Sequence, residues 1–197
     1  MKKTLIGLLA VAVIAGVAIT SVGGMYNQLV AADEQVSSAW GQVQSVYQRR
    51  LDLIPNLIET VKGYAAHEKQ TLEDIVNARS KVTQLNISSR MANDPNAFSK
   101  FQQAQEELSG ALSRLLVVVE RYPDLKASQN FLALQAQLEG TENRIAVERM
   151  RFNEAARGFN TRRRSFPTNI TANLSGFKEK AYFKADESAA MVPAVKF

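Results

Sequence analysis

An uncharged stretch near the amino terminus constrains this chain more than any other feature of the sequence. Lys2 and Lys3 precede it, and the first charged side chain after it is Asp33. Its apolar core, residues 5–22, would span about 27 Å as a helix, which is close to the hydrocarbon thickness of a bilayer. The stretch therefore predicts a transmembrane anchor over residues 1–24. Because basic residues stay on the cytoplasmic side, we expect a single-pass protein with a cytoplasmic amino terminus.

A cleaved signal peptide is the main alternative to an anchor. The apolar part of a signal peptide is usually shorter and ends in a small-x-small site, for which residues 20–24 offer only a weak match. We therefore favour an uncleaved anchor.

Small residues recur at every fourth position of the anchor. They are Ala12, Gly16, Thr20 and Gly24, named here the small-residue stripe. This spacing lets two transmembrane helices approach closely, so the stripe predicts self-association. The competing interpretation is that an anchor rich in alanine and glycine throughout shows such a spacing by chance.

Apolar residues at helical spacing organise residues 25–166. Leu29, Val36 and Val43 are seven residues apart, a coiled-coil seam that needs a partner helix. The same interval separates Phe131, Leu138, Ile145, Phe152 and Phe159. We predict a first helix ending near Leu51, followed by helices over residues 52–85, 95–121 and 126–164. Four helices with short connections predict an all-α protein, an antiparallel bundle that follows the transmembrane helix.

Pro55 interrupts this pattern, because a proline inside a helix lacks a donor and clashes with the carbonyl four residues back. Either one long helix is kinked here, or it ends and a new helix begins with Asp52 as its N-cap. We favour the turn. Arg49, Arg50, Asp52 and Pro55 would then form a charged corner, which is either a solvated helix end or a contact surface for a partner.

The end of the fourth helix carries the densest run of charge, Arg162, Arg163 and Arg164. Cations at a helix C-terminus complement the helix dipole, which explains the run without any ligand. In an up-down-up-down bundle this end also returns to the outer leaflet, where basic residues are attracted to anionic lipid. Both interpretations remain open.

An irregular tail, residues 167–197, follows Pro167. It is too rich in large apolar residues for a free segment, so we expect it to dock on its own bundle or on a neighbouring subunit. These residues are Phe177, Tyr182, Phe183, Val192, Val195 and Phe197.

Catalytic and metal-binding patterns are scarce in this sequence. The chain has no cysteine and one histidine, His67, and Thr71 stands where a zinc-protease motif needs its second histidine. There is no phosphate-binding glycine loop and no nucleophile elbow. The net charge is +5, of which Lys2 and Lys3 supply two, and this is too mild for a nucleic-acid partner. We predict no catalytic residue, no metal ion and no cofactor.

Long segments of the chain resemble the LemA family. Val43 and Pro193 belong to the matching pattern, together with residues 26–30, 39–40, 48–57, 60–65, 67–68, 71–72, 78–79, 122–127, 134–135, 138–145, 166–167, 176–177 and 182–183. The resemblance implies a bacterial protein with an amino-terminal anchor in the inner membrane and a periplasmic or otherwise extracytoplasmic helical bundle. The family has no established biochemical activity. Its relatives include a magnetosome membrane protein, and its genes often neighbour HtpX-type membrane proteases.

Two functions fit these observations. The first is a non-catalytic, membrane-anchored scaffold that forms a homo-oligomer at the cell envelope, which the heptad faces, the stripe and the apolar tail favour. The second is an adaptor or regulator of a membrane protease of the HtpX type or of another envelope complex.

Overall fold

A computed structural model describes residues 2–85 and 89–184, and within these ranges the regular structure is entirely helical. The α-helices are α1, Lys2–Lys62; α2, Lys69–Gln84; α3, Pro95–Val119; α4, Pro123–Lys126; α5, Gln129–Arg164; and α6, Thr168–Leu174. A short 3₁₀ helix, Ser89–Asn93, precedes α3. The all-α class is confirmed, with α1, α2, α3 and α5 as the four main helices.

Helix α1 is the longest of the described helices. Its 61 residues correspond to about 92 Å, and it passes the predicted anchor boundary at residue 24 without a break. Within the described residues it is also the one helix long and apolar enough to cross a membrane, and none of its apolar window is buried against the protein.

Helix α5 runs antiparallel to α1 along the whole bundle. Arg50 contacts Glu142 at 2.8 Å near one end, and Arg162 lies 3.5 Å from the carbonyl of Gln28 near the other. Helix α3 lies along α1 from Trp40, which contacts Phe98, to Arg50, which donates to Ser109. Helix α2 packs antiparallel on α3, where Lys81 pairs with Glu107. The two halves of the bundle differ, because α2 lies near Leu51 of α1 whereas α6 lies near Met25.

Each half has its own apolar core. The distal core joins the end of α1 to α2, α3, α4 and the start of α5. The proximal core lies nearer the anchor and is centred on Trp40, which is fully buried and contacts the rings of Phe98, Phe101, Phe152 and Phe183.

Two predicted boundaries are wrong. Helix α1 does not end near Leu51 but continues through Pro55 to Lys62. The predicted helix over residues 52–85 is divided by the connection at residues 63–68, because the chain must reverse there for α2 to pack beside α1. The predicted third and fourth helices correspond to α3 and α5, within a few residues at each end.

Part of the predicted irregular tail is helical, since α6 lies within it. Phe177 and Phe183 pack on the proximal core of the chain's own bundle. The tail residues Val192, Val195 and Phe197, like Pro193, lie outside the described residues.

Candidate functional site at the anchor-proximal end

The end of α5 and all of α6 surround the point where α1 leaves its apolar stretch. Thr171 of α6 lies 3.9 Å from the sulfur of Met25, and the rings of Tyr26 and Phe177 are 5.9 Å apart. Met25 is only three residues, about 4.5 Å of helix rise, beyond Val22. This end of the bundle is therefore directly beside the predicted anchor.

The predicted lipid-contact run lies at this end, and its three arginines have different surroundings. The Nε of Arg163 donates to the carbonyl of Phe177 at 2.8 Å, so Arg163 holds the tail in place. Arg162 and Arg164 are exposed, and Arg164 lies 4.0 Å from Glu179. The arrangement separates one structural arginine from two that face solvent. Contact of the run with lipid stays a prediction.

The small-residue stripe is exposed along α1 at Ala12, Gly16, Thr20 and Gly24. The hydroxyl of Thr20 donates to the carbonyls of Gly16 and Val17, each at 3.0 Å, so its hydrogen-bonding capacity is used inside the helix. A Cβ atom built on Gly16 or Gly24 meets nothing within 4 Å. No described part of this chain packs on the stripe, and its role in self-association stays a prediction.

The charged corner predicted at Arg49, Arg50, Asp52 and Pro55 does not form, because all four residues lie within α1. Arg50 is only 1% exposed and points into the bundle. Arg49 is exposed and donates to Gln137 at 3.1 Å, whereas Asp52 accepts from Gln48 at 2.8 Å. The interpretation of Arg50 as a surface residue is wrong. A partner contact through the exposed Arg49, Asp52 and Pro55 remains a prediction.

Arg50 instead joins three helices. Its guanidinium donates to Ser109 and to Glu142, each at 2.8 Å, and to Gln105. It also lies 5.1 Å from the ring centroid of Tyr47. Burial raises the pKa of the Tyr47 phenol, although the neighbouring arginines oppose the shift. Its Nε is buried without a hydrogen-bond partner among the described residues, so the three bonds from its terminal nitrogens are what align α1, α3 and α5.

The continuation of α1 through Pro55 has a specific cause. Proline has no amide hydrogen, so the carbonyl of Leu51 loses its usual partner in the helix. Nε of Arg79 in α2 donates to this carbonyl at 3.2 Å. On the inner face, Leu53, Ile54 and Leu57 are buried in the distal core, which also favours helix over turn.

Two asparagines of α5 hold the tail by its backbone. Asn153 donates to the carbonyl of Phe183 and accepts from its amide, at 3.0 and 2.9 Å. Asn160 makes the same pair with Lys180, at 2.9 Å for each bond. Seven helical residues rise about 10 Å, which matches three extended residues. Sequence reasoning missed this contact between α5 and the tail. The sequence feature that could have indicated it is the pair Asn153 and Asn160, which are seven residues apart and each follow a buried phenylalanine of α5.

The polar side chains around His67, considered above for catalysis, form structural contacts between helices. His67 is exposed in the connection between α1 and α2. Its neighbour Glu68 accepts from the phenol of Tyr122 at 2.9 Å and from Arg121 at 3.0 Å. The hydrogen bond to Glu68 raises the pKa of Tyr122. Among residues 2–85 and 89–184, no three histidine, cysteine or acidic side chains are grouped closely enough to hold a metal ion.

Comparison with known proteins finds similarity over most of the chain. A family model described as the LemA family matches residues 39–197. Protein LemA of Metamycoplasma hominis is 26% identical over 164 residues, covering 83% of this chain and 71% of that protein. The magnetosome protein MamQ of Magnetospirillum gryphiswaldense is 27% identical over 193 residues, covering 89% of this chain and 71% of MamQ. The magnetosome protein MamQ 2 of Paramagnetospirillum magneticum is 26% identical over 175 residues, covering 81% and 64% respectively.

Proposed function

The chain belongs to the LemA family, and from that premise we propose that it is an extracytoplasmic helical scaffold, anchored in the inner membrane, that assembles with copies of itself. Family membership and the apolar helix make it a membrane-associated protein of the cell envelope. The scaffold role and the self-assembly are what we add to this.

The continuity of α1 carries the proposal. Residues 25–62 extend about 57 Å beyond the anchor, and the helix has no break between the two. A flexible linker would let an anchored domain sample many orientations. An unbroken helix instead couples the orientation of the bundle to that of its anchor, which suits a protein that sets spacing and orientation at a membrane.

Self-assembly is supported by the small-residue stripe. Its four positions are exposed, and backbone approach at Gly16 is sterically open. Close backbone approach at small residues is the usual basis of helix association in lipid. A second copy of the same helix is the partner that the stripe fits best.

The test is the mass of the full-length protein in mild detergent, measured by light scattering, with electron microscopy of the particles. We expect a discrete assembly of many copies. Gly16→Leu blocks backbone approach at the stripe and is expected to lower the mass. Ser21→Leu places the same leucine side chain about 140° around the helix and is the matched control, with no change expected.

A monomeric or dimeric wild-type protein would overturn the scaffold proposal. Crosslinking in cells would then test the adaptor function by looking for a membrane protease bound to the chain. Equal loss of mass in both leucine variants would show that the stripe has no special role.

A further inference from the structure

Three large apolar side chains are exposed at the anchor-proximal end of the bundle. Phe166, in the turn before α6, is 81% exposed, while Ile170 and Leu174 of α6 are 52% and 85% exposed. Ile170 and Leu174 are four residues apart and therefore share one side of the helix. Thr171 and Ala172 are buried against the bundle. We name the three exposed side chains the α6 face.

The position of the α6 face distinguishes it from ordinary scattered surface residues. Helix α6 packs against α1 at Met25, which follows the apolar core of the anchor by one helical turn. Tyr26, at the same level, is partly exposed and contacts Phe177. Aromatic side chains of this kind are enriched where a protein crosses the membrane–water boundary.

Cations flank the α6 face on both sides in sequence. Arg162 and Arg164 end α5 just before Phe166, and Lys178 is exposed shortly after Leu174. Glu179 lies 4.0 Å from Arg164 and offsets part of this charge. A short helix with large apolar side chains on one side and basic residues beside them is typical of a segment lying in a lipid interface.

We propose that the α6 face inserts into the boundary between headgroups and acyl chains of the leaflet from which α1 emerges. The occupant of this surface is phospholipid, with Arg162 and Lys178 at the level of the phosphates. The inference rests on the anchored state in the proposed function and adds a second membrane contact. Two contacts at one end of a rigid bundle fix its rotation about α1 as well as its position.

Because the chain has no cysteine, single cysteines can be introduced and labelled to measure how deep the α6 face lies in the bilayer. Full-length Ile170→Cys and Leu174→Cys variants are labelled with a small fluorophore and reconstituted into phospholipid vesicles. Nitroxide lipids, labelled at the headgroup or along the acyl chain, then quench the fluorophore. Both labels are expected about 5–10 Å below the headgroup surface, the depth typical of interfacial helices.

Val117→Cys is the matched control, because Val117 is an apolar residue, 72% exposed, near the far end of α3. Its label is expected to be quenched by aqueous iodide and not by nitroxide lipid. Equal quenching of the labels at residues 174 and 117 by lipid would overturn the inference. Protection of residue 174 from iodide without quenching by lipid would also overturn it and would identify a second protein copy on the α6 face.

A fourth label, on the predicted anchor, distinguishes failure of the α6 contact from failure of the anchored state in the proposed function. Val13→Cys reports whether the anchor is in the bilayer. Lipid quenching at residue 13 without quenching at residue 174 refutes the α6 contact and leaves the anchor intact. Loss of quenching at both refutes the anchored state itself. Unchanged emission of the buried Trp40 in each variant shows that the bundle is folded.

Discussion

Replacement of Arg79 by methionine tests why α1 continues as a helix through Pro55. In Arg79→Met the carbonyl of Leu51 loses its donor, because residue 55 has no amide hydrogen to replace it. In the double variant Pro55→Ala/Arg79→Met the alanine amide donates to this carbonyl within the helix. The two substitutions are therefore expected to be strongly non-additive.

The size of the effect follows from the contact. A buried polar group left without a partner costs about 1–3 kcal/mol. Arg79 is half-buried and its bond is 3.2 Å long, so water reaches part of the site and we expect about 1–1.5 kcal/mol for Arg79→Met. With alanine at residue 55 the same substitution should cost about 0.5 kcal/mol or less, which gives a coupling of about 1 kcal/mol. Pro55→Ala alone should stabilise the protein, since proline inside a helix is costly.

Urea unfolding of the full chain at fixed detergent concentration measures these free energies. The chain has a single tryptophan, Trp40, which is fully buried and reports on the proximal core. Circular dichroism reports on all helices, and coincidence of the two transitions would justify a two-state treatment. Arg49→Met is the control, because Arg49 is exposed and substitutions at such sites usually change stability by less than about 0.5 kcal/mol. Equal costs of Arg79→Met with proline and with alanine at residue 55 would refute the compensation.

Two further predictions use the same assay. Glu142→Gln should destabilise the bundle by about 3 kcal/mol, because it leaves the charge of Arg50 buried and unpaired. Arg50→Met should cost only about 1 kcal/mol, because the Glu142 side chain is 44% exposed and can be hydrated. A larger cost for Arg50→Met than for Glu142→Gln would show that Arg50 acts mainly by packing. Phe183→Ala should lower the free energy of unfolding by about 3 kcal/mol, because the ring of Phe183 is part of the proximal core. Phe166→Ala, at an exposed position, should change this free energy little in detergent. Equal effects of the two substitutions on stability would mean that the tail is not part of the folded bundle.

Sequence periodicity predicts most of the fold, and the seven-residue spacing from Phe131 to Phe159 identifies α5 without any tertiary information. Four of those five residues are fully or almost fully buried, and Leu138 is only slightly more exposed. The arginine run at the end of α5 was also expected near the end of the anchor, because alternating helices with short connections return to the same side. Periodicity works here because burial of an amphipathic face is decided within each helix.

The candidate sites were harder to predict, because they depend on which residues of different helices meet. Arg50 is one of two consecutive arginines beside a proline, which is the local composition of a surface corner. Its burial requires Gln105 and Ser109 from α3 and Glu142 from α5. Helix α6 is too short for periodicity to reveal, and its exposed face is recognised only once its packing beside Met25 is known.

The sequence by itself determined the apolar amino-terminal helix and the helical class, because these depend on the length and spacing of apolar residues along one segment. The antiparallel return of α5 followed from the number of helices and their short connections. The tertiary structure alone decided that α1 is continuous through Pro55, because the carbonyl that proline leaves open is satisfied by Arg79, 28 residues away. It likewise decided the path of the tail, because the backbone of Lys180 and Phe183 is held by Asn160 and Asn153 of another element. A hydrogen bond between distant residues leaves no periodic trace in either segment, so it becomes visible only when the helices are packed.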